Sequence, residues 1–286
     1  DWLTLLENMV AQVRAGEIFE GRIDEAVRRI LTVKFQSGLM DRGLPSKRAA
    51  QFTNMIGAEA HRELARDAVR RSLVLMKDPK GLLPLDPAGT YRIAGAGADD
   101  IGLQSGGWTI SWQGTGNVNA DFPGARSILD GFVQHAQTAS GDVALYDPEE
   151  TVSQLDAVIM VMAEAPYAEG QGDIETLARQ QGRSRDLDLI RQFSEQGIPV
   201  ITIFLTGRPL WVNAELNASD VFVIAWLPGS EGHTIADVMM AAQNGHRRYP
   251  FEGRLPMPWP THDLNPLGHE LSMSQHAFPV GFGLTA

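Results

Sequence analysis

Apolar positions along the chain follow two different spacings, which predict two kinds of structure. Residues 1–40 carry apolar side chains at three- and four-residue steps, as on one face of an amphipathic helix. A second amphipathic helix is predicted from residue 58 to about residue 71. Farther along, short and nearly continuous runs rich in Val and Ile predict strands that are covered on both faces. The predicted strands are 73–76, 92–95, 143–146, 157–162, 200–205 and 221–226.

Helical stretches at 184–196 and 234–243 lie between or after the later strands. This alternation predicts an α/β fold, a three-layer α/β sandwich with a mostly parallel sheet. In such sheets ligands bind beyond the carboxyl ends of the strands. Residues 41–57, which include Gly43 and Pro45, predict an interdomain linker. We therefore expect a helical segment at 1–40 and the sandwich domain at 58–286.

Composition and charge narrow the classes of function. The 286 residues include 24 Lys and Arg against 35 Asp and Glu, a formal net charge of −11. This balance argues against nucleic acid and against an anionic membrane surface as partners. With no cysteine and seven histidines that lack metal-site spacing, we predict no metal and no cofactor. The apolar runs are also too short to cross a membrane.

One glycine-rich turn follows the second predicted strand. Gly95 and Gly97 begin a pattern similar to a dinucleotide-binding fingerprint. That fingerprint needs a third small residue, but Asp100 fills the position and would face the pyrophosphate with a negative charge. An ordinary strand-to-loop turn is therefore favoured over a nucleotide site.

Two tryptophans, Trp108 and Trp112, lie in the glycine-rich segment 106–114. Glycine disfavours a regular helix, so the segment is expected to be a loop that displays an indole. A flat aromatic ring suits the apolar face of a pyranose, while the indole N–H remains a hydrogen-bond donor. The alternative is that both rings are buried in the core.

Three carboxylates, Glu164, Glu169 and Asp173, lie in the loop that follows the strand 157–162. A general acid requires a carboxyl group that stays partly protonated in apolar or like-charged surroundings. Pro166, Tyr167 and the neighbouring carboxylates are candidates for such surroundings. The alternative is a solvated acidic loop. Farther along, Ser230 is expected to cap a helix.

Several segments together resemble family 3 glycoside hydrolases, in the exo-β-glucanase and β-glucosidase branch that acts on 1,3- and 1,4-linked glucans. They occur in the family order across nearly the whole chain, and the tryptophan-pair and Pro-Tyr-Ala-Glu segments are specific to this branch. The matching segments are 22–31, 68–77, 82–85, 106–114, 164–173, 226–232 and 278–284.

The resemblance implies a (β/α)8 barrel followed by an α/β sandwich, with the active site between them. The barrel would supply the aspartate nucleophile and most contacts to the terminal glucose of a β-gluco-oligosaccharide. Glu169 matches the general acid/base, and Trp112 matches the indole that stacks on the leaving-group sugar. Trp108 is expected to support Trp112. Glu164 and Asp173 are expected to shape the loop or to tune a pKa.

The chain departs from the family pattern at its start. A barrel needs about 250 residues, and only residues 1–40 are similar to its last helical segments. Asp1 and Trp2 resemble the family's nucleophile dipeptide, but Trp2, Leu5 and Leu6 fit a helix, so we reject Asp1 as the nucleophile. We expect this chain to be the C-terminal part of a longer enzyme and to be inactive alone.

The resemblance to this family suggests a periplasmic or secreted protein. A rival interpretation from another class is a non-catalytic carbohydrate-binding or interaction module of the same fold. The tryptophan pair would serve such a module equally well, but it would have no reason to keep the loop of Glu169 acidic.

Overall fold

The computed structural model describes residues 1–49, 54–150, 154–179, 184–262 and 276–285. Backbone contacts divide the chain into two compact units, Asp1–Glu59 and Ala60–Ala286. In its described part, the first unit contains helices α1 (Trp2–Arg14), α2 (Glu20–Gln36) and α3 (Pro45–Ala49). Helix α3 lies within the predicted linker, so part of that segment is folded.

Asp1 begins helix α1 as its N-cap. Its Oδ1 accepts the backbone N–H of Leu3 at 3.2 Å, and its Oδ2 accepts the hydroxyl of Thr4 at 3.0 Å. A carboxylate in this position satisfies an N–H group that lacks a partner inside the helix. The contacts of Asp1 are therefore those of a capping residue.

The second unit is built on a six-stranded sheet with the order β1-β6-β5-β4-β2-β3. Strand β1 is antiparallel to β6, and every other pair in this sheet is parallel. Each of the six predicted strands is present within two residues of its expected bounds, which confirms the α/β class with a mostly parallel sheet. The strands are β1 (Val74–Lys77), β2 (Thr90–Ala94), β3 (Asp142–Leu145), β4 (Ala157–Ala163), β5 (Val200–Leu205) and β6 (Val221–Trp226).

Helices accompany this sheet, and a two-stranded antiparallel pair, β7 (Trp259–Pro260) with β8 (His276–Phe278), follows them in the chain. The last helix ends at Met239, earlier than the predicted residue 243, because Met240 has extended backbone. In the described residues, the α-helices that follow are α4 (Glu59–Ser72), which begins at the last residue of the first unit, α5 (Ile101–Ser105), α6 (Ile128–Gln137), α7 (Arg185–Glu195), α8 (Asn213–Ala218) and α9 (Ile235–Met239).

The core lies on both faces of the sheet because successive side chains of a strand point in opposite directions. In β4, Ile159 and Val161 belong to one buried cluster, while Val158, Met160 and Met162 belong to the other. All five side chains are fully buried, and each contributes about 1.5–3 kcal/mol to folding if it is removed completely from water. This two-sided burial explains the continuous apolar runs in the sequence.

The turn after β2 has the structure of an ordinary strand-to-helix connection. Gly95 has φ +94°, and a Cβ there would overlap the carbonyl oxygen of Val161. The Oδ1 of Asp100 accepts the backbone N–H of Leu103 at 2.8 Å and so caps the five-residue helix α5. Separately, none of the helices in the described part of the chain is long and apolar enough to cross a membrane.

Candidate active-site surface

Two loops of the second unit form the candidate site. The tryptophan loop, residues 106–114, follows helix α5, and the acidic loop, residues 164–173, follows the carboxyl end of β4. The loop after the neighbouring strand β5 contributes Thr206 and Arg208. All three segments lie in the same compact unit, at the edge of the sheet where parallel α/β proteins bind ligands.

The Glu169 carboxylate binds both indoles of the tryptophan loop. Its Oε2 accepts the Nε1–H of Trp112 at 2.7 Å and the Nε1–H of Trp108 at 3.2 Å. The two ring centroids are 6.3 Å apart, and the ring planes are tilted by 49°. Trp108 is 70% exposed and Trp112 is 55% exposed. The alternative that both rings are core residues is therefore wrong, and the structure brings all three predicted residues together.

The tryptophan loop has a constrained backbone. Trp108 and Ile110 both have left-handed φ angles, +56° and +62°, which cost about 1–2 kcal/mol for residues other than glycine. The backbone N–H of Trp108 donates to the carbonyl of Trp112 at 2.9 Å. The side-chain amide of Asn117 donates to the carbonyls of Thr109 and Gly114, each at 3.1 Å. These bonds hold the loop in the form that displays both rings.

Close backbone packing joins the two loops. A Cβ at Gly107 would overlap the carbonyl oxygen of Tyr167, so glycine allows the tryptophan loop to contact the acidic loop. The side chain of Gln113 spans the same junction: its Oε1 accepts the backbone N–H of Ala168 at 2.7 Å, and its Nε2 donates to the carbonyl of Glu169 at 2.9 Å.

Glu164 forms an ion pair at the base of the acidic loop. Its Oε1 accepts from Nε and Nη2 of Arg208, both at 2.7 Å, and its Oε2 accepts the hydroxyl of Thr206 at 2.8 Å. The Arg208 guanidinium also donates to the carbonyl of Gly172 at 2.6 Å and lies 3.8 Å from the ring centroid of Tyr167. These contacts favour a loop-shaping role for Glu164, which stays a proposal.

A short turn presents Glu169. The backbone N–H of Gly172 donates to the carbonyl of Ala168 at 2.7 Å, and that of Asp173 donates to the carbonyl of Gly170 at 3.0 Å. Asp173 is exposed and contributes to this turn through its backbone. Its predicted part in shaping the loop stays a proposal.

The surroundings of Glu169 lower its pKa. The hydrogen bond from Trp112 is the largest cause, and the backbone N–H of Glu169 and the indole of Trp108 act in the same direction. Each donor stabilises the charged carboxylate. Pro166, Tyr167 and the nearby carboxylates were candidates for surroundings that keep a carboxyl group protonated, but none of them is a cause of the pKa shift of Glu169.

The pKa of Tyr167, in the same loop, is by contrast raised. Burial is the main cause of the higher pKa of Tyr167, and the nearby charge of Glu164 adds to it. Tyr167 therefore stays neutral at ordinary pH. Within the described ranges, no group of three or more His, Asp or Glu side chains is placed to hold a metal ion.

Among the residues of this surface that sequence reasoning missed are Gln113 and Arg208. Gln113 directly follows Trp112, but its partners lie 55 and 56 positions farther along the chain. Arg208 lies 44 positions from Glu164. The sequence holds no local signal for either contact.

Comparison with known proteins supplies the family. The model of the glycosyl hydrolase family 3 C-terminal domain matches residues 73–286. This chain therefore belongs to glycosyl hydrolase family 3, which confirms the resemblance found in the sequence.

Individual relatives agree with this assignment. The crystal structure of the exo-1,3/1,4-beta-glucanase ExoP from a Pseudoalteromonas species is 45% identical with a TM-score of 0.89, over 98% of this chain and 35% of that one. The lysosomal beta glucosidase of Dictyostelium discoideum is 31% identical, over 98% of this chain and 36% of its own length. The periplasmic beta-glucosidase of Salmonella typhimurium is 25% identical, over 87% of this chain and 35% of its own length. The chain thus spans about a third of the length of these relatives.

Proposed function

We propose that this chain supplies the general acid/base and the leaving-group subsite of a retaining exo-acting β-glucosidase or β-glucanase. The substrates would be the terminal β-D-glucosyl residues of 1,3- and 1,4-linked gluco-oligosaccharides. One observation carries the proposal: the Glu169 carboxylate accepts hydrogen bonds from two exposed indoles on a loop at the carboxyl end of the sheet. The names of the relatives, a glucanase and beta-glucosidases, support the substrate class.

In a retaining reaction, one carboxylate attacks the anomeric carbon while a carboxylic acid protonates the leaving oxygen. The same acid, now a base, then removes a proton from the water that releases the sugar. We assign this second carboxyl group to Glu169. The nucleophile would be an aspartate of a (β/α)8 barrel domain outside these 286 residues, placed about 5–5.5 Å from Glu169.

The low pKa of Glu169 suits the second step, in which the residue must be charged to act as a base. The first step needs the protonated form. A second carboxylate placed nearby would raise the pKa of Glu169, because two negative charges in one site repel each other. When the nucleophile becomes an uncharged ester, that repulsion ends and the pKa falls again. The nucleophile itself would thus switch Glu169 between acid and base.

Trp112 is suited to hold the leaving-group sugar beside this acid. Its indole N–H binds Glu169 Oε2 while more than half of the residue stays exposed. A sugar stacked on the ring would therefore lie next to the carboxyl group that protonates its oxygen. Trp108, tilted against Trp112 and bound to the same oxygen, would hold this arrangement.

The isolated chain should not hydrolyse aryl β-glucosides, since it would hold one carboxyl group of the pair. Addition of a family 3 barrel domain should restore turnover if the two parts bind each other. In the restored enzyme, Glu169→Gln should still form the glycosyl-enzyme from substrates with good leaving groups but should hydrolyse it slowly. Glu175→Gln, which changes an exposed carboxylate of the same region, is the control. Steady turnover by the isolated chain, or unchanged kinetics of Glu169→Gln, would contradict the proposal.

Sugar binding tests the role of Trp112 separately. In the restored enzyme, Trp112→Ala should weaken binding of oligosaccharides by about 1–3 kcal/mol, comparable to other aromatic stacking platforms. Binding of glucose alone should change little. Equal losses for both ligands would show that the ring does not form a leaving-group subsite.

The second candidate function is a non-catalytic carbohydrate-binding module. The exposure of both indoles in this unit favours it. Titration of the isolated chain with cello- and laminari-oligosaccharides distinguishes the two. Appreciable affinity supports the binding module, whereas no affinity supports half of a shared active site.

We also propose a periplasmic or secreted location, which the names of the periplasmic and lysosomal relatives support.

A further inference from the structure

Two consecutive residues of the tryptophan loop bind opposite ends of Glu169. The indole of Trp112 donates to the side-chain carboxylate at 2.7 Å, and the amide of Gln113 donates to the main-chain carbonyl at 2.9 Å. The same Gln113 amide accepts the N–H of Ala168 at 2.7 Å. The side chain and the backbone of Glu169 are thus held by one dipeptide.

The bonding partners fix the orientation of the Gln113 amide. An N–H group from Ala168 requires the amide oxygen, and a carbonyl from Glu169 requires the amide nitrogen. If the amide were turned over, both contacts would bring like groups together. A glutamine therefore fits this position through both halves of its amide, and neither glutamate nor methionine satisfies both partners.

We propose that Gln113 is the positioning residue for Glu169: its side-chain amide holds the backbone of the acidic loop so that the carboxylate meets the indoles. The proposal rests on the proposed role of Glu169 as the acid/base. A glutamate side chain has three rotatable bonds, so hydrogen bonds to the indoles alone do not fix the backbone of Glu169. Without a second contact, a movement of that backbone would also displace the carboxylate. With the backbone also held, the position of the carboxyl group is defined.

The contact between the loops at Gly107 gives an alternative explanation, because backbone packing also joins them there. In that case, Gln113 would add stability without setting the position of Glu169. The two explanations differ in what happens to the bonds between the indoles and the carboxylate when the Gln113 amide is removed. Only the positioning role predicts that these bonds weaken while the chain stays folded.

The test uses the 286-residue chain labelled with 15N-tryptophan. The indole N–H resonances of Trp108 and Trp112 are assigned by single Trp→Phe substitutions and are followed from neutral to acidic pH. In the unmodified chain, both resonances should shift together as Glu169 gains its proton. Glu169→Gln should abolish this shift. If the resonances keep titrating in Glu169→Gln, the contact assumed by the proposed function is wrong.

Gln113→Met keeps the length of the side chain and removes both amide groups. We expect both indole resonances to lose their carboxylate-dependent shift at neutral pH, while circular dichroism stays that of the folded chain. Gln192→Met, at an exposed site on α7, is the matched control and should leave the resonances unchanged. Native-like resonances in Gln113→Met would overturn the positioning role, even if Glu169→Gln behaves as expected.

Hydrogen exchange at a backbone amide supplies a second measurement, which does not depend on the titration of the Glu169 carboxylate. The amide hydrogen of Ala168 should exchange about fivefold faster in Gln113→Met, because its acceptor is lost. Gln113→Ala replaces Gln113→Met if the latter does not fold. An unchanged exchange rate in the variant that folds would also overturn the proposal.

Discussion

The indole nitrogen of Trp112 lies 2.7 Å from Glu169 Oε2, and that of Trp108 lies 3.2 Å from the same oxygen. The shorter bond is the larger cause of the low pKa of Glu169. We therefore expect Trp112→Phe to raise the pKa of Glu169 towards its ordinary value more than Trp108→Phe does. The indole resonance that remains in each variant reports the titration.

The same substitution has a consequence for stability. A carboxyl group whose pKa is lowered by folding stabilises the folded chain above its unfolded pKa, and this contribution is lost as the pH falls through the folded pKa. Trp112→Phe should therefore reduce the acid-induced loss of stability that Glu169 causes. If Trp112→Phe and Trp108→Phe changed the pKa of Glu169 and the acid stability equally, Trp112 would not be the larger cause of the low pKa.

Gly107→Ala tests whether the contact between the loops holds the site together. The added Cβ would overlap the carbonyl oxygen of Tyr167, which is backbone and cannot move without moving the acidic loop. We expect a loss of about 1–3 kcal/mol in the free energy of unfolding, with weaker hydrogen bonds between the indoles and Glu169. Urea unfolding measures the first effect, and the indole resonances measure the second.

Gly43→Ala is the matched control for this substitution. Apart from the glycine and its two chain neighbours, no residue that the structure describes has an atom within 4 Å of the position of its Cβ, and its φ is not left-handed. This change should leave the free energy of unfolding within about 0.5 kcal/mol of the original value. A Gly107→Ala variant as stable as Gly43→Ala would show that the loops separate without cost.

The strands were predictable from the sequence because burial on both faces leaves a continuous apolar run, as in Val200–Leu205. The structure also brings Trp108, Trp112 and Glu169 together as the resemblance implied. The direction of the pKa shift of Glu169 was not predictable. A loop with three carboxylates suggests mutual repulsion, but Glu164 is paired with Arg208 from the loop after β5, and hydrogen bonds from the indoles lower the pKa of Glu169.

Ser230 shows the same limit. A serine before a predicted helix is the usual capping residue, but here its hydroxyl donates to Glu231 Oε1 at 3.1 Å and caps no helix. Glu231 is fully buried and pairs with Arg62 at 2.8 Å. Partners from distant parts of the chain decide the role of such residues, and periodicity along the sequence carries no information about them.

Glu164→Gln tests how strongly the ion pair with Arg208 stabilises the acidic loop. The side chains are only 13% and 21% exposed, so removal of the negative charge leaves a poorly solvated guanidinium. We expect a loss of about 2 kcal/mol in the free energy of unfolding, less than for a fully buried pair. Glu25→Gln, which breaks the exposed pair with Arg29 on α2, should change it by less than about 0.5 kcal/mol. Equal effects of the two substitutions in urea unfolding would show that the ion pair of Glu164 with Arg208 does not stabilise the fold more than an exposed pair does.

His233 should make the stability of the fold depend on pH. Burial, followed by the positive charge of Arg126, lowers the pKa of His233 to about 4. Its Nδ1 lies 3.9 Å from Glu231 Oε2, too far for a hydrogen bond. The folded chain therefore holds His233 neutral, whereas an unfolded chain protonates histidine near pH 6.5.

Between these two pKa values the unfolded state binds more protons, so the free energy of unfolding should decrease as the pH falls from about 6.5 towards 4. We expect His233 to account for about 2 kcal/mol of this decrease, since one pKa unit corresponds to about 1.4 kcal/mol and some solvation remains. Urea unfolding at a series of pH values should show a smaller decrease for His233→Gln. His246→Gln, at an exposed position, should keep the original pH dependence. The same pH dependence in all three chains would mean that His233 gains its proton without destabilising the fold.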